Sequence, residues 1–362
     1  VKPPIHPAST FVFPSAAIGA AHMETAYGVE GAETPPEGGF IYSRLGNPTL
    51  NVAETRLAAW DESEAAAVFS SGMSAISTTL FAWTGSERAL WYVVPLFGGT
   101  QHIVDDILPS MGVSVRKLES LDELALMGEE DGLPGMIFLE TPANPTLQVH
   151  SIKTATDWAK ARTSDDHRIL VAVDNTFLGP ILQRPLELGA DLNVYSATKY
   201  IGGHSDLIAG AVSGSMEAMQ PVRTLRTFLG NMASPWTSWM LMRSLETLKV
   251  RMDQQALNAA RVADYLKEHP KVERVYYLGH LTPADASFEV YQKQLSSPGA
   301  MVSFDVVGGE SGAFAFLDHL KLFHLAVSLG STESLAEHPY TMTHADVDDQ
   351  DKMALGITES LV

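Results

Sequence analysis

Short, continuous apolar runs alternate with stretches of helical periodicity along most of this chain of 362 residues. A strand that is apolar at every position is buried on both faces, and parallel strands need crossover segments between them. The pattern therefore predicts an α/β fold, with a mostly parallel sheet and helices on both faces. Six runs are predicted as buried strands: Ala65–Phe69, Ala89–Val94, Gly135–Glu140, Ile169–Asp174, Leu192–Ser196 and Leu207–Val212.

The first 45 residues differ from the rest of the chain. They are rich in Pro, Gly and small side chains and show little periodicity, so we predict an extended N-terminal arm over residues 1–45. Regular helical spacing begins after Asn47, where Pro48 suits a first helical turn. Residues 46–235 hold all six predicted strands and are expected to form the ligand-binding domain.

The last third is predicted as a smaller α/β domain, residues 236–362. A strongly helical segment, residues 235–268, leads into it. A strand at Ala300–Val307 and a helix at Ser311–Leu322 are expected further on. Neither a repeat nor a low-complexity tract interrupts the sequence.

Composition narrows the classes of function. Asp and Glu outnumber Lys and Arg by 43 to 24, a formal net charge of −19, which disfavours nonspecific nucleic-acid binding. No window of about eighteen consecutive apolar residues occurs, so we predict no membrane span. The sequence has no Cys, which excludes disulfides and thiolate metal sites and favours a reducing, cytoplasmic location.

Four groups of polar and small residues directly follow predicted strands. In open parallel sheets, ligands bind at the carboxyl ends of the strands. The sequence therefore predicts that these groups converge on one ligand site. They are Ser70-Ser71-Gly72-Met73, Glu140-Thr141-Pro142-Ala143-Asn144, Asp174, and Ser196-Ala197-Thr198-Lys199.

Lys199 and Asp174 indicate which ligand that is. A lysine flanked by small residues and hydroxyls fits an amine that forms a Schiff base, because burial would lower its pKa. An upstream acid can hold the ring nitrogen of pyridoxal phosphate (PLP) in its protonated form. A lone lysine after a strand is more often a surface residue, and a lone Asp is as often a turn residue. The prediction of PLP therefore depends on finding Lys199 and Asp174 together with the other polar groups that follow predicted strands.

Residues after the first strand offer a phosphate cradle. Ser71, Gly72 and Met73 precede a helical run, and backbone amides at a helix N-terminus bind phosphate. The hydroxyls of Ser196 and Thr198, two residues apart, lie on one face of an extended segment. Small residues before a helix are common, so this cradle is a weak signal by itself.

Phe97 and Asn144 complete the predicted site. Phe97 follows the second strand and can stack on the PLP ring, with a core phenylalanine as the alternative, and Asn144 can donate to the phenolic oxygen. His204, His338 and His344 lack metal-ligand spacing with carboxylates and are interpreted as polar contacts, so no metal is predicted. No Walker-type loop or G-x-G-x-x-G follows a strand, which leaves a nucleotide site without support.

With these motifs in order, the chain resembles the Cys/Met-metabolism family of PLP enzymes, the cystathionine γ-synthase-like group. The resemblance runs from about His6 to the last residue and implies a PLP-dependent transferase architecture of fold type I. It rests on Tyr42-Ser43-Arg44, Asn47-Pro48-Thr49, Ser71-Gly72-Met73, Glu140-Thr141-Pro142-Ala143-Asn144-Pro145, Asp174-Asn175-Thr176, Ser196-Ala197-Thr198-Lys199-Tyr200, Ser328-Leu329-Gly330 and Met342-Thr343-His344.

The resemblance also implies an assembly and a set of roles. Family members are usually homotetramers of two tight dimers, in which Tyr42 and Arg44 would reach the phosphate of the neighbouring subunit's PLP. Arg gives that phosphate a bidentate partner. Lys199 would carry the imine and shuttle protons, and Ser328 would lie near the substrate carboxylate or near Lys199. The other implied cofactor contacts are Ser71, Gly72, Met73, Phe97, Asn144, Asp174, Ser196 and Thr198.

Three departures from the family pattern concern the substrate. Phe97 stands where the family usually has a Tyr whose hydroxyl helps to protonate the leaving group. The stretches Thr100-Gln101-His102 and Ala326-Val327-Ser328 lack the Arg and the Glu that cystathionine-handling members tend to carry, which argues against cystathionine as the main substrate. The family's substrate-carboxylate Arg is expected just beyond Val362, so the C-terminal domain is expected to be truncated here.

The predicted function is γ-elimination from a γ-substituted L-amino acid. Val327 and the stretch His338–His344 look more like methionine γ-lyases, which favours methionine or homocysteine, with a non-sulfur substrate such as canavanine as an alternative. A γ-replacement transferase, such as an O-acylhomoserine sulfhydrylase or a cystathionine γ-synthase, would use the same residues. A non-catalytic PLP-binding protein is the third alternative, which the presence of Lys199 and Asp174 disfavours.

Overall fold

The computed structural model describes residues 2–32 and 39–362. Val1 and residues 33–38, which belong to the predicted arm, lie outside the described residues. The strands are β1 (Ala65–Phe69), β2 (Ala89–Val93), β3 (Val115–Leu118), β4 (Pro134–Glu140), β5 (Leu170–Asp174), β6 (Leu192–Tyr195), β7 (Gly210–Gly214), β8 (Val272–Tyr276), β9 (Ser303–Val306), β10 (His324–Leu325) and β11 (Leu335–Ala336).

The α-helices lie between these strands and at both ends of the described chain. They are α1 (Ala16–Ala26), α2 (Pro48–Asp61), α3 (Gly72–Trp83), α4 (Gly98–His102), α5 (Leu108–Ser110), α6 (Ile152–Arg162), α7 (Gly179–Leu182), α8 (Met216–Leu229), α9 (Pro235–Leu245), α10 (Leu248–Lys267), α11 (Phe288–Gln294), α12 (Gly309–Asp318) and α13 (Asp349–Ala354). Short 3₁₀ or π-helical turns cover Ile103–Ile107, Leu121–Leu126, Glu129–Asp131 and Leu278–His280.

Seven strands of the described chain form one sheet, in the order β1-β7-β6-β5-β4-β2-β3. Neighbouring strands are parallel except around β7, which runs antiparallel to β1 and β6. Because β7 alone is reversed, the carboxyl ends of β1, β2, β4, β5 and β6 share one edge. The prediction of a mostly parallel α/β sheet is confirmed, and the predicted ligand groups follow strands at that shared edge.

Both faces of the sheet are covered by helices. Side chains alternate between the faces of a strand, so Met136 and Phe138 of β4 pack with α3 and α8, whereas Ile137 and Leu139 pack with α6. All four are fully buried. This double coverage is the physical reason that the strands appear in the sequence as continuous apolar runs.

Five of the six predicted strands agree with the structure to within one residue at each end. The sixth, predicted at Leu207–Val212, begins only at Gly210 because the Ala209 N–H is bonded to the Thr198 hydroxyl at 3.0 Å. The sequence pattern missed β3. This edge strand pairs with β2 alone and carries Arg116 and Lys117, as exposed edge strands commonly do.

The prediction of a wholly extended arm is wrong at Ala16–Ala26, which forms α1. Ser15 caps this helix by accepting from the Ile18 N–H at 3.3 Å, and its Ala-rich sequence has a high helix propensity. Helical periodicity is absent from the sequence because the helix has no apolar stripe; Gly19 and His22 are its buried residues.

In the C-terminal part the predicted elements are present with different bounds, whereas β8, β10, β11, α11 and α13 were not predicted. The segment predicted as helical over 235–268 contains two helices, since α9 ends at Leu245 and α10 begins at Leu248. The predicted strand and helix are shorter than expected and correspond to β9 and α12. Val362 pairs with Phe304 of β9 through two backbone hydrogen bonds of 2.9 and 3.0 Å.

Within residues 2–32 and 39–362, no helix combines the length and the apolar character needed to cross a bilayer.

Candidate active site

The first turn of α3 meets the end of β6 at the shared edge. A Cβ built on Gly72 would lie 2.8 Å from the Ser196 Oγ, so only glycine allows this approach. Ser71 is the N-cap of α3, and its Oγ accepts from the Ser74 N–H at 3.0 Å. Free backbone N–H groups and the positive end of a 12-residue helix dipole therefore lie beside the Ser196 hydroxyl, which is an arrangement that binds anions.

Asp174 is buried at the end of β5 and is held there by Thr176. Its Oδ1 accepts from the Thr176 N–H at 3.0 Å and from the Thr176 hydroxyl at 2.6 Å. The Thr176 oxygen in turn accepts from the Ser196 N–H at 2.8 Å, which joins the ends of β5 and β6. Thr176 is a functional residue that the sequence motifs alone did not indicate, although a hydroxyl two residues after a strand-end Asp is a signal for this turn.

A second buried carboxyl group, that of Glu140, lies on the strand beside Asp174. The two residues are register partners in β4 and β5. Glu140 accepts from the Phe97 N–H at 2.7 Å and from the Asn144 N–H at 3.2 Å. It thus fixes the backbone of the two segments that carry the predicted ring contacts, a role that sequence analysis did not assign to it.

Within the described part of the chain, these two buried carboxyl groups have no positively charged side chain beside them to neutralise their charge. Burial raises the pKa of Glu140 and that of Asp174, and the negative charge of Asp174 raises the pKa of Glu140 further. No basic side chain among the described residues offsets either carboxylate. A protonated pyridine nitrogen would supply the missing positive charge.

Lys199 lies next to Ser328 and within the influence of Glu337. Its Nζ donates to the Ser328 Oγ at 3.1 Å. Burial lowers the pKa of Lys199, and attraction to the Glu337 carboxylate partly opposes that shift. The Thr343 hydroxyl donates to Glu337 Oε1 at 2.9 Å, whereas Glu337 Oε2 is buried and has no partner within residues 2–32 and 39–362.

Phe97 is 42% exposed, which excludes the alternative of a core phenylalanine. Gly99 separates its ring from Met73, because a Cβ on Gly99 would lie 2.9 Å from both Phe97 Cε1 and Met73 Sδ. The ring is thus available to a ligand and lies close to the start of α3.

Three predicted contacts have other partners within the single chain. The Thr198 hydroxyl donates to the Ala209 carbonyl and accepts from the Ala209 N–H. Arg44 Nη1 donates to the Thr227 carbonyl at 3.0 Å, and the Arg44 guanidinium lies over the Tyr42 ring at 5.6 Å. Tyr42 is 41% exposed.

The histidines that sequence analysis set aside make polar contacts. His338 Nδ1 lies 2.8 Å from the Thr341 hydroxyl, and His204 Nδ1 lies 2.7 Å from the Gly202 carbonyl. In the described part of the chain, no three side chains of the metal-ligating types converge on a point.

The arrangement fits PLP in four respects. A helix N-terminus with a facing hydroxyl suits its phosphate, and a buried acid without a cation suits its ring nitrogen. An exposed aromatic suits stacking, and a partly desolvated lysine suits its aldehyde. These features come from the ends of four separate strands, so their convergence is a property of the fold.

Comparisons with known proteins identify the family of the whole chain. The family model for Cys/Met metabolism PLP-dependent enzymes matches residues 1–362. An L-methionine γ-lyase of Fusobacterium nucleatum subsp. polymorphum is 39% identical over 365 residues, which cover 99% of this chain and 87% of that protein. An L-methionine γ-lyase of Pseudomonas putida is 39% identical over 369 residues, with the same shares covered.

A solved structure shows the same fold. The crystal structure of cystathionine γ-synthase from Xanthomonas oryzae pv. oryzae, in complex with cystathionine, superposes with a TM-score of 0.87 at 32% identity. The match covers 100% of this chain and 87% of that one. The chain is therefore an enzyme that uses pyridoxal 5′-phosphate and belongs to the family of Cys/Met metabolism PLP-dependent enzymes.

Proposed function

We propose that this protein catalyses γ-elimination from a γ-substituted L-amino acid, with methionine or homocysteine as the substrate. The observation that carries the proposal is the partly desolvated Lys199 amine, hydrogen-bonded to Ser328 at 3.1 Å at the ligand edge of the sheet. The choice of substrate is supported by 39% identity to two L-methionine γ-lyases.

PLP, when bound, supplies an electron sink for negative charge that develops at the substrate's Cα. Lys199 would hold its aldehyde, and Asp174 would pair with its ring nitrogen. Phe97 would stack on the ring, and Asn144 would reach the phenolic oxygen. The proposed phosphate contacts are Ser71, Gly72, Met73, Ser196 and Thr198, with Tyr42 and Arg44 from a neighbouring subunit.

Lys199 is the proposed acid–base group. Burial lowers its pKa, so a neutral amine that can remove the α-proton is easier to form at neutral pH than it would be in water. The Ser328 Oγ accepts from Nζ and so orients the amine. Phe97 has no hydroxyl to donate, which leaves Lys199 as the proposed donor of a proton on the Cγ side.

The surroundings of His102 favour a substrate with one carboxylate. His102 occupies the stretch where cystathionine-handling relatives tend to carry an Arg. Its two ring nitrogens lie 2.6 Å from Asp346 and 3.3 Å from Asp106. Because these carboxylates raise the pKa of His102 by pairing with it, its positive charge is already neutralised and is not available to a second substrate carboxylate.

Likeness to cystathionine γ-synthase, at a TM-score of 0.87, favours γ-replacement as the second candidate function. The same lysine and the same cofactor contacts serve both reactions. They differ in whether water or an added nucleophile consumes the unsaturated product, so product analysis separates them.

The proposed assembly is a cytoplasmic homotetramer of two tight dimers. We divide each subunit into the arm (1–45), the PLP-binding domain (46–235) and the C-terminal domain (236–362). A role for the arm in contacting a neighbouring subunit is supported by two observations. Tyr42 is exposed, and Gly19 and His22 are the buried residues of α1.

The test is a substrate panel with purified holoprotein: L-methionine, L-homocysteine, L-canavanine, O-acetyl-L-homoserine and L-cystathionine. We expect 2-oxobutanoate and ammonia from methionine or homocysteine, and no such release with Lys199→Ala. Homoserine from canavanine would move the substrate class to non-sulfur leaving groups. If homocysteine formed from O-acetylhomoserine only when sulfide was added, and no 2-oxobutanoate appeared, the reaction would be γ-replacement and not γ-elimination. No turnover across the panel would refute both reactions.

A further inference from the structure

Two side chains of α10 bind the backbone on both sides of the Lys199–Ser328 pair. Arg251 and Gln255 are one helical turn apart, so they project from the same face of α10. Neither takes a chemical part in the proposed reaction, and no sequence motif points to α10.

Arg251 binds the turn that comes after Lys199. This turn is closed by bonds of 2.7 Å from the Gly203 N–H to the Lys199 carbonyl and from the Gly202 N–H to the Ala197 carbonyl. The next carbonyls point outward, as at the end of a helix, and need donors. Arg251 Nη1 donates to the Tyr200 carbonyl at 2.8 Å.

The guanidinium has further partners at the end of α9 and at the N-cap of α10, where Arg251 Nε donates to the Thr247 hydroxyl at 3.2 Å. Arg251 Nη2 donates to the carbonyls of Ile201, at 3.4 Å, and Ser244, at 3.1 Å. Burial lowers the pKa of Arg251, and no carboxylate among the described residues offsets this. Gly203 has φ +66°, which residues with a Cβ rarely adopt, and a Cβ there would lie 1.8 Å from Arg251 Nη1 and so displace the guanidinium.

Gln255 binds the segment that carries Ser328. Its Nε2 donates to the Ser331 carbonyl at 2.7 Å and to the Gly330 carbonyl at 3.4 Å. Gly330 lies directly against the lysine segment, since a Cβ on it would be 2.6 Å from the Tyr200 nitrogen. The two backbone segments are therefore in contact, and one face of α10 binds both.

We propose that Arg251 and Gln255 form a carbonyl clamp, two positioning residues that set the separation of the Lys199 amine from the Ser328 hydroxyl. The inference rests on the proposed function of Lys199. A displacement of a reacting group by about 1 Å can cost up to about a hundredfold in rate, so loosening either segment should lower kcat more than it raises KM.

The first experiment uses Arg251→Lys and Gln255→Met in the holoenzyme. Lysine keeps the charge but loses the fork that reaches several carbonyls, and methionine keeps the shape of glutamine without its donor. We expect kcat to fall about tenfold or more in each variant, with KM changed less than about threefold. The matched controls are Arg261→Lys and Gln254→Met, which alter exposed residues of the same helix and should leave kcat unchanged.

The second experiment asks whether Gln255 acts through Ser328. In a Ser328→Ala background, adding Gln255→Met should lower kcat by less than about twofold, because the contact that it positions is already absent. An equal loss in both backgrounds would show a general structural effect and overturn the proposal.

A third readout does not involve catalysis. In the apoprotein, Gln255→Met should accelerate deuterium exchange in peptides covering 328–331, and Arg251→Lys in those covering 199–203, with α1 unchanged. Faster exchange with wild-type kcat would overturn the positioning role. If the wild-type protein turned over no substrate, the proposed function would fail, whereas an active wild type with equally active clamp variants would refute the clamp alone.

Discussion

Asp174 and Glu140 face each other across two parallel strands, and each would repel the other if both were ionised. Their pKa values are raised by burial, which makes the pair receptive to a positive charge. A protonated pyridine nitrogen beside Asp174 would reverse the shift of Asp174 by stabilising its ionised form. In the proposed site, the positive charge that these two carboxyl groups lack would come from the cofactor.

Glu337 is expected to tune Lys199. Replacing it by Gln removes a carboxylate that favours the charged amine, so the pKa of Lys199 should fall further below its ordinary value. More of the amine would then be neutral at a given pH. In the Glu337→Gln apoprotein, the pH profile for the rate of PLP attachment, followed by absorbance, should therefore move to lower pH.

Glu310→Gln is the control for this experiment, since Glu310 is exposed at the start of α12. Its profile should overlay that of the wild type. A profile of Glu337→Gln that stays in place or moves to higher pH would contradict the assigned electrostatic role.

At the scale of elements, a buried polar contact joins α2 to strands β6 and β7 of the sheet. Asp61 of α2 accepts from the Tyr195 hydroxyl at 2.6 Å, from the Asn193 amide at 3.2 Å and from the Ser213 hydroxyl. Burial raises the pKa of Asp61 to about 6 in spite of these bonds. The contact specifies how α2 packs against β6 and β7, but ionisation of the buried Asp61 destabilises the folded protein.

Asp61→Asn should change the pH dependence of stability. Wild-type Asp61 binds its proton more tightly when folded, with a pKa near 6 against 3.8, so its ionisation destabilises the fold as pH rises through that window. The free energy of unfolding of the variant, relative to wild type, should therefore be higher at pH 7 than at pH 4, by about 3 kcal/mol at most.

Urea unfolding at both pH values measures this difference. Asp318→Asn, a change to an exposed aspartate at the end of α12, provides the control and should show no comparable trend. A relative stability of Asp61→Asn that is constant or falls with pH would contradict the prediction.

Strands with a continuous apolar sequence could be predicted, whereas elements whose position depends on contacts with distant residues could not. The strands β1, β2, β4, β5 and β6 are predominantly apolar because they are buried on both faces. In contrast, the start of β7 depends on the Thr198 hydroxyl, and β3 is an edge strand with a mixed sequence. Helix α1 has a good cap and high propensity but lacks the apolar periodicity that indicates the other long helices.

At the scale of the whole molecule, the proposed sharing of active sites makes a specific prediction. Arg44→Ala and Lys199→Ala should each be inactive alone, one for lack of a phosphate contact and the other for lack of the amine. After mixing and subunit exchange, mixed dimers contain one site with both native residues. Activity should return to about a quarter of that of wild type.

Absence of recovery after confirmed subunit exchange would place Arg44 in its own subunit's site or outside any site. Mixing Lys199→Ala with Asp174→Asn serves as the matched control. Both of these residues are proposed to act in the site of their own subunit, so each site of a mixed dimer carries one of the two changes. No recovery is therefore expected from this pair.

The sequence by itself determined the sheet, the groups at its carboxyl edge and the PLP family, because periodicity and strand-end motifs are local properties. Only the tertiary structure decided that Glu140 faces Asp174, that His102 is neutralised by Asp346, and that α10 binds the backbone around Lys199 and Ser328. These contacts join residues that are far apart in the chain. Their partners are fixed by packing and register, which no short stretch of sequence specifies.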